Sequence, residues 1–344
     1  MSKIVTFGIP CYNSSGYMDK CIRSILTGAN YAEDIEIIIV DDGSTKDDTA
    51  RKADEWAERY PEIIRVHHQE NGGHGIAVLS GLREATGTFY KVVDSDDWLD
   101  ADALATLLAK MRATEAAGDK VDLFITNYVY EHTVDDTRNV VRYGSVLPEN
   151  RIFEWSEIGH FLMTQNLLMH ALCYRTSTLR AVNLNLPAHT FYVDNIYAWV
   201  PLPHCKKICY YNVDLYRYYI GREDQSVNER VMAGRIDQQL RITRIMMEAY
   251  HLYEDIHPVQ LRSYMVNYFV IMTAICSVFS RLSDRPDAMD ELERFWSDLH
   301  DYDRRMWRRC RLGIIGQGSN LPGRLGRRTT IGLYRLADKV VKFN

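Results

Sequence analysis

The sequence predicts an α/β fold, a mostly parallel sheet with helices on both faces, followed by a helical C-terminal region. Three observations lead there. Over the first third, short apolar runs alternate with segments of helical spacing. Each of the first four runs is followed by polar, acidic or glycine-rich residues, the positions where an open sheet presents its ligand crevice. The last third shows helical periodicity alone.

The strand candidates are Lys3–Ile9, Ile35–Val40, Ile63–His67 and Phe89–Val93. Between them, Met18, Cys21, Ile22 and Ile25 share one helical face, and Ala50–Ala57 follows Thr49 and two aspartates. Ile76, Leu79, Leu82 and Arg83 are spaced for a third helix, which Gly87 stops. The crevice segments are then Pro10-Cys11-Tyr12-Asn13, Asp41-Asp42-Gly43-Ser44, Asn71-Gly72-Gly73-His74-Gly75 and Asp94-Ser95-Asp96-Asp97-Trp98. Neither GxGxxG nor GxxxxGK[ST] occurs, which weighs against dinucleotide and P-loop chemistry.

Composition bounds the class. The chain has 344 residues, 46% apolar and 25% charged, the usage of a globular protein large enough for one or two domains. Seven cysteines, scattered and without a CxxC pair, argue against a disulfide framework or zinc site and favour a reducing, cytosolic setting. Met1-Ser2-Lys3 runs directly into strand-like Ile4–Phe7, so no leader is expected. The net charge of −5 hides an asymmetry: residues 304–344 hold eleven Lys or Arg and one acid, a net of +10 that leaves −15 for the other 303 residues. Such a tail suits a polyanionic surface.

Asp94-Ser95-Asp96-Asp97 is the sharpest local feature. Clustered carboxylates beyond a strand end repel one another unless a hard cation lies between them, and Mg²⁺ or Mn²⁺ completes its shell with substrate phosphates. The plainer reading is a turn leading into the helix that follows, through Met111, with an aspartate as its cap. Asp42-Gly43-Ser44 alone is likewise only a turn; the two motifs at strand ends of one sheet point together to a ligand crevice.

Taken in order and spacing, Ile9–Asn13, Ile38–Thr45, Asn71–Gly73, Gly81–Gly87 and Val93–Asp97 resemble the nucleotide-sugar-dependent glycosyltransferases of family 2, which have the GT-A fold. The resemblance covers roughly residues 3 to 110 and implies an inverting transfer from a nucleoside diphosphate sugar, most often UDP-linked. On that resemblance Pro10, Tyr12 and Asp41 or Asp42 hold base and ribose, with Asn13 and Ser95 beside them, and Asn71, Gly72 and Gly73 approach the nucleoside by backbone. Asp94 and Asp96 supply the Asp-x-Asp motif that bridges ribose and a Mn²⁺ or Mg²⁺ ion on the diphosphate.

Inversion also requires a base for the acceptor hydroxyl. Asp194, a lone acid in the apolar and aromatic run Leu184–Pro203, is the candidate, with a helix cap as its alternative. Arg222, in the loop after a tyrosine-rich strand, is the candidate phosphate contact. His170 is read either as lining the sugar pocket or as a core histidine, and His67 and His68 as structural.

The first 225 residues are therefore expected to form the transferase domain, donor binding in 1–110 and acceptor side in 111–225. Residues 226–344 form the helical region, and Ser263–Ser280, uncharged for 18 residues, is read as a buried core helix rather than a membrane span. The final segment, about 323–344, sets Leu333, Leu336, Ala337, Val340 and Val341 against Arg335, Asp338, Lys339 and Lys342. Such a helix suits an anionic membrane surface, packing on the body or a second copy of the chain. Membrane binding would place the protein at the inner face of the cell membrane and make the acceptor a lipid-linked saccharide, as opposed to a free one. Two other classes fit less well. A nucleotidyltransferase would need cations directly after the first strand, where none occurs before Lys20. A nucleic-acid binder conflicts with the acidic body.

Overall fold

The computed structural model describes residues 3–29, 34–132, 137–220 and 229–341, with side chains through Leu336. Two compact units divide the chain: Met1–Gly159 with Leu167–Ile220, and His160–Asn166 with Gly221–Asn344.

The first unit is built on one ten-stranded sheet. Its N-terminal half alternates β1 (Val5–Cys11), α1 (Met18–Gly28), β2 (Ile35–Asp41), α2 (Thr49–Arg59), β3 (Ile64–His68), α3 (His74–Glu84) and β4 (Phe89–Val92). These four strands pair in parallel. β1 and β2 are buried at every residue, which is why they read as unbroken apolar runs instead of alternating ones. α1 turns Met18, Cys21, Ile22 and Ile25 inward, the helical spacing visible in the sequence.

The second half continues with β5 (Trp98–Leu99), α4 (Ala101–Ala116), β6 (Leu123–His132), β7 (Thr137–Val141), β8 (Ile152–Phe153), β9 (Leu172–Arg175), α5 (Thr176–Val182), α6 (Asp194–Trp199) and β10 (Ile208–Ile220). Asp100 caps α4, its carboxylate accepting from the Ala103 N–H at 3.1 Å.

The main strand order is β3-β2-β1-β4-β9-β6-β10-β5. β9 lies antiparallel between β4 and β6, and β6 and β10 are parallel to each other. The reversal positions the site. The start of β9, preceded by the single turn Met169–Ala171, meets the carboxyl end of β4, where Asp94 follows. The carboxyl end of β10, carrying Tyr216 and Tyr218, reaches the same rim. Lys91 is buried in β4 and donates from Nζ to the carbonyls of His170 at 2.7 Å and Leu172 at 3.3 Å, which pins the turn in place. Burial pulls its amine down to about 8.

The second unit is helical: α7 (Glu229–Gly234), α8 (Ile236–Ala249), α9 (Leu252–Asp255), α10 (Val259–Leu282), α11 (Ala288–Tyr302), α12 (Arg304–Leu312), α13 (Ile314–Ser319) and α14 (Gly323–Val341). α10 is long and apolar enough to cross a membrane by composition, but 72% of its most apolar window is buried. α8, α11, α12, α13 and α14 pack around it. Asp303 caps α12 by accepting from the N–H groups of Arg305 and Met306, each at 2.9 Å.

Candidate active site

The crevice loops are tied together by the polar residues that mark them in the sequence. Asn13 sits at a φ of 49°; its N–H donates to Ser44 Oγ at 2.9 Å, and its Oδ1 accepts from the N–H groups of Thr45 and Lys46 at 3.2 and 3.0 Å. Asp41 accepts from the Ser44 N–H at 3.1 Å and faces His68 Nδ1 at 3.0 Å. The other ring nitrogen of His68 lies 3.0 Å from Asp54, and hydrogen bonds to the two carboxylates raise the imidazole above its ordinary pKa.

Asp42 is buried, and its carboxylate is fully engaged. Oδ1 accepts from Gln69 Nε2 at 2.7 Å and the Gly72 N–H at 2.8 Å, and Oδ2 from the Gly73 N–H at 2.8 Å. Asn71 donates to the Asp42 carbonyl at 2.9 Å. Asp42 thus holds the third crevice loop to the second, while Tyr12, in the first, stands 48% exposed. Pro10 ends within β1 and Ser95 is buried at the rim.

The acidic motif beyond β4 is arranged differently. Asp94 lies 2.8 Å from His74 Nε2, and its N–H donates to Tyr216 Oη at 3.1 Å. Burial opposes its charge, yet the interaction and hydrogen bond with His74, with Lys91 nearby, hold the carboxyl below its usual range. Asp97 accepts from Tyr216 Oη at 2.6 Å and the Tyr219 N–H at 2.8 Å. Burial, with the charges of Asp96 and Asp94, drives its carboxyl well above that range.

His170 completes the cluster. Its ring is stacked between Tyr216 and Tyr218, with centroids at 4.6 and 4.7 Å. Burial and the nearby Lys91 push its pKa down to about 4, so the imidazole is neutral at ordinary pH. Its Nδ1 is buried with no hydrogen-bond partner among the described residues, a state that costs free energy and suits an electron pair reserved for a ligand.

One ligand atom each from Asp94, Asp97 and His170 lies within 4.8 Å of the others. Two carboxylates and a neutral imidazole form a donor set that fits a divalent first-row ion better than an all-oxygen site would. Sequence reasoning paired Asp94 with Asp96; the group drawn together here is Asp94, Asp97 and His170, with Asp96 half-buried between the two aspartates.

Asp194 begins α6 with Val193 at the cap position, and its Oδ1 accepts from Asn195 Nδ2 at 3.3 Å. The loop before it passes through His189 and Tyr192 at positive φ, 49° and 67°. That loop packs onto the glycine run. The His189 N–H donates to the Gly72 carbonyl at 2.8 Å, and a Cβ on Gly73, itself at a φ of 86°, would stand 2.8 Å from the His189 nitrogen. The missing side chain at Gly73 therefore admits the chain that delivers Asp194. Burial raises the Asp194 carboxyl and the Asp94 charge adds to this, while His74 acts in the opposite direction. The Asp94 carboxyl is thus shifted down while those of Asp97 and Asp194 are shifted up, a separation that allows neighbouring carboxyls different roles.

His74, Asp97 and Tyr216 were missed as site residues in the sequence. His74, directly after Gly72-Gly73, and Asp97, the last of the clustered acids, carried a local signal; Tyr216 looks like strand filler. Arg222 lies outside the described residues.

Comparison with known proteins agrees with this architecture. Residues 6–183 match the family described as glycosyl transferase family 2. The chain is 31% identical over 168 residues to the glycosyltransferase GlyA of Streptococcus pneumoniae serotype 4, covering 46% of this chain and 23% of GlyA. Across the first curated relatives, matches span between 23% and 60% of their lengths. Among solved structures, S. aureus TarS 1–349 in complex with UDP-GlcNAc superposes with a TM-score of 0.66 at 17% identity, covering 97% of this chain and 92% of that one. A Pyrobaculum calidifontis mannosyltransferase in complex with GDP-Man and Mn²⁺ gives a TM-score of 0.53 at 15% identity, covering 98% and 88%. With more than half of its length matched to the family, and a GT-A sheet carrying the crevice motifs in order, this chain belongs to the family 2 glycosyltransferases.

Proposed function

We propose that the enzyme moves a sugar from a nucleoside diphosphate sugar, a UDP-sugar first among them, to a hydroxyl of a saccharide acceptor, free or lipid-linked, with inversion at the anomeric carbon. The observation that carries the reading is the cluster beyond β4: Asp94 lies 2.8 Å from His74 and has ligand atoms of Asp97 and His170 within 4.8 Å, with Asp194 near enough to feel the charges of Asp94 and His74. Nucleotide complexes of the structural relatives support the donor class.

In this mechanism Asp194 accepts the acceptor's hydroxyl proton as that oxygen bonds to the anomeric carbon. The bond from that carbon to the diphosphate oxygen breaks, and its electron pair leaves with the nucleotide. In this reading Tyr12 stacks on the base and Asp41 takes the ribose, which the 48% exposure of Tyr12 beside the loops tied by Asn13 and Asp42 supports. Asp94, Asp97 and His170 would hold Mn²⁺ or Mg²⁺, whose contribution is to neutralise charge building on the diphosphate. Lys91 and the Tyr216–Tyr218 pair keep His170 oriented for that task.

Asp194→Asn tests the proposal. Single-turnover transfer should fall by about 10²- to 10⁴-fold while UDP still raises the melting temperature. Near-normal turnover in the variant would overturn the assignment of the base.

A further inference from the structure

α14 divides its surface among three jobs. At about 100° per residue, Gly326, Thr330 and Tyr334 share one arc. This arc packs within the second unit: Thr330 Oγ1 donates to the Gly318 carbonyl at 2.9 Å, Tyr334 meets the Phe279 ring at 5.4 Å, and Gly326 lies directly against the Leu321 backbone. Leu325, Thr329, Leu333 and Leu336 fall within a different arc of roughly 80°. Its three leucines are 79%, 51% and 61% exposed. A third arc, on the far side of the leucines from the packed one, carries Arg324, Arg328 and Arg335, all exposed; Arg335 also pairs with Glu229 at 3.0 Å.

A single exposed leucine is ordinary, but three in register along one helix form a patch that water does not favour. Intramolecular packing does not explain the leucines, because Thr330 and Tyr334 perform it. Charge indicates what covers them: residues 304–344 carry eleven cations and one acid.

We propose that the leucine stripe of α14 is a membrane-docking face that lies in the headgroup region of an anionic bilayer, with Arg324 and Arg328 on lipid phosphates. A helix with leucines on one arc and arginines beside it is the interfacial arrangement, in which apolar insertion and attraction to anionic lipid act together.

The test uses the full chain and sedimentation with vesicles of phosphatidylcholine containing roughly 30% phosphatidylglycerol, against pure phosphatidylcholine. Binding should be confined to the anionic vesicles and should weaken sharply in about 0.5 M salt, which screens the headgroup charge. Leu325→Ser, Leu333→Ser and Leu336→Ser combined should weaken it by about tenfold or more while thermal stabilisation by UDP persists. Because all seven cysteines are buried, Leu336→Cys can carry a polarity-sensitive fluorophore, whose emission should shift to the blue on anionic vesicles only. Equal binding by the triple-serine variant, no binding to either vesicle, or a label that stays in water would each overturn the proposal. So would a stable dimer in light scattering that the triple variant converts to monomer, since the stripe would then be covered by a second copy. Loss of UDP stabilisation in the wild type would count against the donor site alone and leave the vesicle result standing.

Discussion

Two aspartate motifs lie at strand ends of the same sheet and look alike in the sequence, yet the structure uses them in opposite ways. Beyond β2, both oxygens of Asp42 are occupied by the N–H groups of Gly72 and Gly73 and the amide of Gln69. Beyond β4, Asp94, Asp97 and His170 stand within 4.8 Å of one another, with perturbed pKa values and an unpaired buried nitrogen. The first motif spends its charge on the protein's own backbone and acts as a scaffold. In the second, Asp97 is likewise engaged, by Tyr216 Oη and the Tyr219 N–H. What is left unmet among the described residues is Nδ1 of the neutral His170, in a cluster with the acidic groups of Asp94 and Asp97; unmet valence of this kind in a crevice is where chemistry is expected. A polar motif is thus best judged by what stands around it as well as by what its own atoms already hold.

The comparison can be broken most directly at His170. His170→Ala should cost about 10²-fold or more in metal-supported transfer, with Asp97→Ala similar, since each would remove a proposed ligand of the ion that offsets charge on the leaving group. Asp96→Ala should cost less than either; a greater loss would return the ion to the Asp94–Asp96 pair.

Next, Asp42→Ala should lower stability by about 2–4 kcal/mol, because it orphans two backbone donors and an amide. This is measured by urea unfolding. Unchanged stability with abolished nucleotide binding would show that Asp42 touches the ligand and that the two motifs are not different after all.

Gly73→Ala should cost about 1–3 kcal/mol, since an alanine is strained at this φ and its Cβ meets the His189 backbone. It should also slow turnover by displacing the loop that leads to Asp194, while leaving UDP affinity close to wild type. A loss of affinity as large as the loss of turnover would place the loop on the donor side instead.

The smallest effects concern pH. As the proposed base Asp194 would act only when ionised, and its pKa is raised, so kcat should rise with pH through a limb displaced above the ordinary carboxylate range. That limb should vanish from the residual rate of Asp194→Asn. His68 belongs to the scaffold and its folded pKa is also raised. The stability it contributes is therefore full below about pH 6.5, the unfolded value, and is lost as pH rises through the folded value. Melting scans at pH 5.5 and 8.5 should differ more for the wild type than for His68→Ala.

By itself the sequence determined the alternation of strands and helices, the four crevice segments, the amphipathic end and the family. All of these are local: apolar period, turn residues and motif spacing act within one or two elements, so they survive in a linear reading. Tertiary structure alone decided which polar groups are left unmet. Asp42 is satisfied by residues 27 to 31 positions away, and His170 reaches Asp94 only because β9 inserts antiparallel beside β4 and Lys91 pins the preceding turn. Likewise Leu333 and Leu336 read as one apolar stripe, but only the packing of Thr330 and Tyr334 shows that the stripe faces outward. Burial and lone-pair occupancy depend on partners brought in from distant chain positions, and no local period encodes that pairing.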